Sequence, residues 1–193
     1  MISEICKCKS LKKFLRYEFE DEGIKIQVDP TLTTQDYIGI KVDDYYHDTV
    51  RTGTPKAVDF IISVDCQCNN YVVYICEFKN VNSPAYLNIR DIQEKFTNTI
   101  EDFMKQRYPN FFDNDRYVYK AFFLYLVSDA YHVSKKFNNH EEYLHYLEVR
   151  SDVFKKDTLK VERSLQNKLY RIHGKICRID YDIPPNPTIK RFT

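Results

Sequence analysis

A chain of 193 residues, 43% hydrophobic and 30% charged, is long enough to bury a core without disulfide or metal staples and too apolar to be disordered. Only four Gly and seven Pro exclude collagen-like and low-complexity classes, and no apolar run is long enough to span a bilayer as a helix. The net charge of +1, from 29 basic and 28 acidic residues, argues against a protein that coats nucleic acid by bulk charge.

The first residues, MISEICKCKSLKKF, carry charges where an export signal needs an apolar stretch. A cytoplasmic protein with six reduced cysteines is therefore expected, and no membrane partner. The pairs Cys6/Cys8 and Cys66/Cys68 have one-residue gaps instead of the longer spacing of zinc sites. They read as side chains sharing a strand face.

Residues 10–21 place Leu11, Phe14, Leu15 and Phe19 at helical spacing before Gly23, which predicts a short helix. Residues 24–28 alternate as a strand, and 37–42 follow as another. Two strong strand signals, 57–65 and 71–79, flank the polar stretch Gln67–Asn70 and predict a hairpin. Ser83-Pro84 is an N-cap followed by proline, which predicts a helix over 84–107 with Ile89, Ile92, Phe96, Ile100, Phe103 and Met104 as its apolar stripe. Residues 117–128 read as a buried central strand. Residues 140–150 and 157–170 read as helices, and 170–181 as a strand pair turning at His173-Gly174. This order predicts one domain over residues 1–193, an α/β (α+β) fold with a mixed sheet flanked by helices on its faces.

One group of residues stands apart. Asp59 heads one strand of the hairpin, and Glu77-Phe78-Lys79 ends the other. Glu77 and Lys79 are two apart, so both leave the same face. Two carboxylates brought close raise each other's pKa unless a cation lies between them, and Mg²⁺ suits such a site. The arrangement makes a geometric demand. Asp59 lies opposite Glu77 only if the turn centres on Cys68 with an odd number of loop residues. A two-residue turn at Asn69-Asn70 puts them on opposite faces. The alternative reading of the same charges is an edge hairpin in which Asp59 pairs with Lys79 and Glu77 with Lys56.

The Asp59, Glu77-Phe78-Lys79 pattern, with a hairpin between and a capped helix after, resembles the PD-(D/E)xK nuclease superfamily over residues about 10–130. One departure is visible: Val58 precedes Asp59 where the family usually has proline, and Pro55 lies four residues before the acid. The resemblance implies a restriction-endonuclease-like core that hydrolyses phosphodiester bonds of DNA, in a restriction or defence setting. It implies Mg²⁺, with Mn²⁺ as a substitute, held by Asp59, Glu77 and the Phe78 carbonyl, and Lys79 acting on the attacking water. It also implies an acid from the first helix, for which Glu18 and Glu20 are the candidates, and a homodimer as the working form. Gln93 on the long helix is a further polar candidate. A structure-selective or RNA-cutting nuclease of the same fold, and a non-catalytic nucleic-acid-binding or protein-interaction module, stay open.

The near-zero net charge hides a segregation. Residues 17–65 carry −7, residues 1–16 carry +4 and residues 153–193 carry +6. Lys155, Lys156, Lys160, Arg163, Lys168 and Arg171 form the basic stretch beyond the core and are the candidates for holding phosphates.

Overall fold

The structure, a computed structural model, describes residues 1–50, 52–130, 132, 141–142, 145 and 151–192, the side chains of 151–155 excepted. Among the described residues, ten strands and five α-helices organise the fold. The strands are β1 (Leu15–Arg16), β2 (Glu20–Asp21), β3 (Ile24–Lys25), β4 (Tyr37–Lys41), β5 (Phe60–Asp65), β6 (Asn70–Lys79), β7 (Val118–Ser128), β8 (Tyr170–Ile172), β9 (Lys175–Cys177) and β10 (Ile179–Asp182). The helices are α1 (Ile2–Lys7), α2 (Val42–Thr49), α3 (Ile89–Asn98), α4 (Pro109–Phe112) and α5 (Ser151–Gln166). A six-stranded mixed sheet runs β1-β4-β5-β6-β7-β10. The pairs from β1 to β6 are antiparallel, and β6/β7 and β7/β10 are parallel. Parallel pairing needs a crossover of a dozen or more residues, which α3 supplies between β6 and β7.

The sheet separates two apolar layers. One face carries Ile38, Ile40, Ile61, Val73, Ile75, Leu124 and Leu126, packed under Ile5 of α1, Tyr46 of α2, Phe96 and Phe103 of the α3 region and Leu165 of α5. The other carries Phe60, Ile62, Val64, Val72, Tyr74, Cys76 and Phe78. This second face is covered by Phe19, by Ile24 of the β2–β3 hairpin and by Ile189 of the C-terminal tail. Among the described residues the helices therefore gather on one face, where the sequence pattern predicted them on both. The short β2–β3 hairpin and the tail supply enough apolar area to close the other side.

The expected helix over 10–21 is the largest departure. The segment forms a short 3₁₀ turn at Lys12–Phe14, then β1 and β2. Glu22 and Gly23 take φ of 50° and 76°, the left-handed pair of a two-residue hairpin turn, and Glu20 faces Lys25 across it. Gly23 is a hairpin residue, not a helix stop. The predicted helix over 84–107 begins with a 3₁₀ turn at Pro84–Tyr86 and starts properly at Ile89, capped by the Asn88 side chain on Asp91 N. From Thr99 to Arg107 it continues as a π-helix. The last helix extends from Ser151 instead of 157, and most of 140–150 lies outside the described residues. The hairpin turn at His173-Gly174 is present, with φ of 45° and 76°.

Gly39 in β4 lies directly under the Phe19 ring, and a Cβ there would overlap that ring. Phe19 is fully buried and boxed edge-on by Tyr37 and Phe60, with no free direction to move. Gly39→Ala is therefore expected to lower stability by about 2 kcal/mol, the scale of an overpacked core. Urea unfolding checks it; an unchanged midpoint refutes the close packing of Phe19 on β4.

Candidate functional site

The hairpin register decides which charges meet. Phe60 pairs with Cys76 and Ile61 with Ile75, so one step further out Asp59 lies opposite Glu77. The loop supports this register. Cys66 N donates to Asn70 O, which leaves Gln67, Cys68 and Asn69 as three loop residues, all with positive φ. The odd loop centred on Cys68 is present, and the tight Asn69-Asn70 turn is not. The edge-hairpin alternative also fails, because β5 and β6 are interior strands with a neighbour on each side. Lys56 pairs with Asp91 and Glu94, and Asp59 with Lys41.

Asp59 and Glu77 are 3% and 0% exposed. The approach to Asp59 is held by helix and strand together. Thr99 Oγ1 accepts from Val58 N at 3.1 Å, Asn98 donates to Lys56 O at 3.0 Å, and Asp59 O accepts from Val42 N at 2.9 Å. Asp59 Oδ2 in turn accepts from Phe78 N at 2.6 Å. The N–H and C=O of one strand residue leave on the same side, so the Phe78 carbonyl belongs to the same edge of β6.

Three ammonium groups surround these acids. Lys41 Nζ lies 2.7 Å from Asp21, 3.1 Å from Asp43 and 3.3 Å from Asp59. Lys79 Nζ lies 2.7 Å from Glu22 and 3.1 Å from Glu77. Lys95 Nζ, from α3, lies 2.6 Å from Glu77. Fully ionised, five carboxylates face three ammoniums, which leaves two negative charges uncompensated.

The titration behaviour follows from that deficit. Burial and then the Glu77 charge push Asp59 well above the ordinary carboxylate range, against the pull of Lys41. Burial likewise raises Glu77, opposed by Lys95 and Lys79. Burial alone would lower Lys41, but Asp59, Asp21 and Asp43 overcome it and its pKa is raised. Lys79 follows the same pattern, with Glu77 the main opposing charge, so it stays an ammonium.

Two observations bear on whether a cation fits. Glu77 Oε2 is buried and makes no hydrogen bond, whereas Asp43 Oδ1 has the Lys41 ammonium 3.1 Å away. A buried, unpartnered carboxylate oxygen is costly and marks a place for a donor or an ion. One oxygen each of Asp21, Asp43 and Asp59 also lies within 4.8 Å of the others. Hard carboxylate and carbonyl oxygens are the donor set that Mg²⁺ takes.

The structure thus brings Asp59, Glu77, Phe78 and Lys79 together. It does not bring Glu18, whose exposed carboxylate pairs with Lys25 at 2.9 Å, and Glu20 is exposed at the start of β2. The acids that do arrive from this segment are Asp21 and Glu22. They sit at the tip of a hairpin that a helical reading hides. Lys41 and Lys95 were also missed; the visible signal for Lys41 was a charge ending an otherwise apolar strand. Gln93 faces away, donating to Ser164 O on α5 at 3.1 Å. Of the basic stretch, Lys156, Lys160, Arg163 and Arg171 are exposed, while the Lys155 side chain lies outside the described residues. Lys168 is turned inward, with Nζ 2.6 Å from Thr97 Oγ1 and over the Tyr170 ring, so it is a packing residue and not a free surface charge. Among the described residues the cysteines form no metal-ligating group. Cys6 lies in α1 and Cys8 just past it, while Cys66 and Cys68 lie at the β5–β6 loop, so neither pair shares a strand face.

The chain matches no family model, no curated protein and no solved structure. Among the described residues no helix is long and apolar enough to cross a membrane.

Proposed function

We propose that the protein is a metal-dependent endonuclease with a restriction-endonuclease-like core, hydrolysing phosphodiester bonds of DNA. The observation that carries the reading is the odd-loop register, which buries Asp59 opposite Glu77 with Lys79 on the same face of β6. Asp59, Glu77 and the Phe78 carbonyl would hold the divalent cation. Bound there, Mg²⁺ or Mn²⁺ supplies a water of lowered pKa and neutralises charge on the phosphate.

The chain's own groups do the rest. Glu22 anchors Lys79 from the other side at 2.7 Å and fixes its reach. Because Lys79 stays charged, its part is electrostatic: it orients the attacking water and stabilises the charge that develops on the phosphoryl oxygens. The exposed Lys156, Lys160, Arg163 and Arg171 are the groups available to DNA phosphates, with salt-dependent affinity. A homodimer, with one site for each strand, and a restriction or defence role belong to this reading.

A second reading, a non-catalytic nucleic-acid-binding module, is favoured by the engagement of all three lysines with carboxylates. The separating experiment incubates the protein with plasmid DNA and with RNA, each with Mg²⁺, with Mn²⁺ and with EDTA. Metal-dependent cutting of DNA is expected. Cutting of RNA alone overturns the substrate, and no cutting of either overturns the enzyme.

A further inference from the structure

The cluster contains two different places for positive charge. One adjoins Glu77, whose Oε2 is buried with no partner. The other lies among Asp21, Asp43 and Asp59, and a side chain already stands in it. Lys41 Nζ makes contacts of 2.7, 3.1 and 3.3 Å to those three carboxylates. The ammonium is closed in from a further side by the Phe60 ring, 4.8 Å away, and Lys41 is 7% exposed. Three carboxylate oxygens within 4.8 Å of one another would otherwise repel strongly or take up an ion.

We infer that the Lys41 ammonium is a built-in replacement for a second divalent cation, so that the site works with a single exchangeable metal ion. The inference rests on the nuclease reading for the first ion but has its own support in the Lys41 contacts. The chemistry separates the two places. An ammonium donates three hydrogen bonds and needs no water or phosphate to complete its surroundings, which suits a closed place walled by a ring. A divalent ion at Glu77 keeps open positions for water and phosphate. Lys41 also does positional work. Through Asp59 Oδ1 it fixes the carboxylate whose Oδ2 is held by Phe78 N, so Asp59 presents one orientation to the ion beside Glu77. Lys41 is in this sense a positioning residue.

The test is calorimetric titration with MnCl₂ in the absence of nucleic acid. The wild-type protein is expected to bind one Mn²⁺ per chain, and Lys41→Met to bind two. Lys41→Gln, shorter and still able to donate to Asp21, is the second variant, with the same expectation of two. The melting temperature of either variant is expected to rise more on adding Mn²⁺ than that of the wild type; a variant that folds only with Mn²⁺ supports the inference equally. Two ions in the wild type, or one in the wild type and one in both variants, overturns it. No Mn²⁺ in the wild type with one in the variants upholds the role of Lys41 while overturning the nuclease reading, so the two failures are distinguishable.

Discussion

Lys79→Ala is expected to reduce metal-dependent cleavage of plasmid DNA by about a thousandfold while leaving the fold and the bound cation in place. The size follows from removing one preorganised positive group aimed at a developing negative charge, an effect of about 10²–10³ in rate. The fold is expected to survive, because Lys79 ends β6 and its partners Glu22 and Glu77 each keep another anchor. Glu22 accepts from Asn80 N at 2.8 Å, and Lys95 stays on Glu77. Single-turnover cleavage with Mg²⁺, set beside Mn²⁺ calorimetry on the same variant, separates lost chemistry from lost binding. Cleavage within a few-fold of wild type would remove Lys79 from the mechanism.

Asp59→Asn is expected to abolish cleavage and at the same time to make the protein more stable at neutral pH. The sign follows from the carboxyl's environment. Its pKa in the folded protein stands well above the ordinary 3.8, because burial and Glu77 oppose its charge. An acid with a raised folded pKa stabilises the fold while it is protonated, and that stability is lost as pH rises from the ordinary value through the raised one. Asparagine is neutral throughout, still accepts from Phe78 N, and leaves Lys41 with Asp21 and Asp43. A gain of about 1 kcal/mol at pH 7, the usual scale for relieving a functional cost, is expected to vanish near pH 4. Urea midpoints at the two pH values measure it. A variant less stable than wild type at pH 7 would mean that the Lys41–Asp59 attraction outweighs the burial of the charge. The pairing of gain and loss is what a site kept for chemistry predicts, since a purely structural ion cluster gives no reason to keep a buried, repelled carboxylate.

Glu77 lies in the interior strand β6 and Asp59 immediately precedes the interior strand β5, and that position matters for both expectations. At an edge their charges would be solvated and would change little on substitution. Between β4 and β7 they are shielded by α3, whose Lys95 reaches Glu77, and by the buried layer of Ile61, Ile75 and Phe96. The same shielding concentrates the charge deficit.

The two hairpin strands and the central strand were legible in the amino-acid sequence because their signals are local. Runs rich in Val, Ile, Phe and Tyr over 57–65, 71–79 and 117–128 became β5, β6 and β7, and polar residues over 67–70 made the turn. Parity alone put Glu77 and Lys79 on one face, and arithmetic stated the register that Asp59 would need. Which loop closed the hairpin depended on three residues accepting positive φ, and local signals favoured a two-residue Asn-Asn turn equally.

The rest was decided by tertiary structure. Leu11, Phe14, Leu15 and Phe19 have helical spacing, yet Phe19 is drawn over the bare Gly39 to cover the far face of the sheet. Burying that ring outweighs the helical pattern, and a chain spent on a hairpin delivers Asp21 and Glu22 where a helix would have offered Glu18. Lys41 reaches Asp59 because β4 pairs with β5, and Lys95 reaches Glu77 because α3 crosses behind β6. Those pairings join residues 18 apart in each case, by packing that no local spacing encodes. Asp59, Glu77 and Lys79 were visible in the sequence; Asp21, Glu22, Asp43, Lys41 and Lys95, and the two charges left over, are brought to them only by the fold.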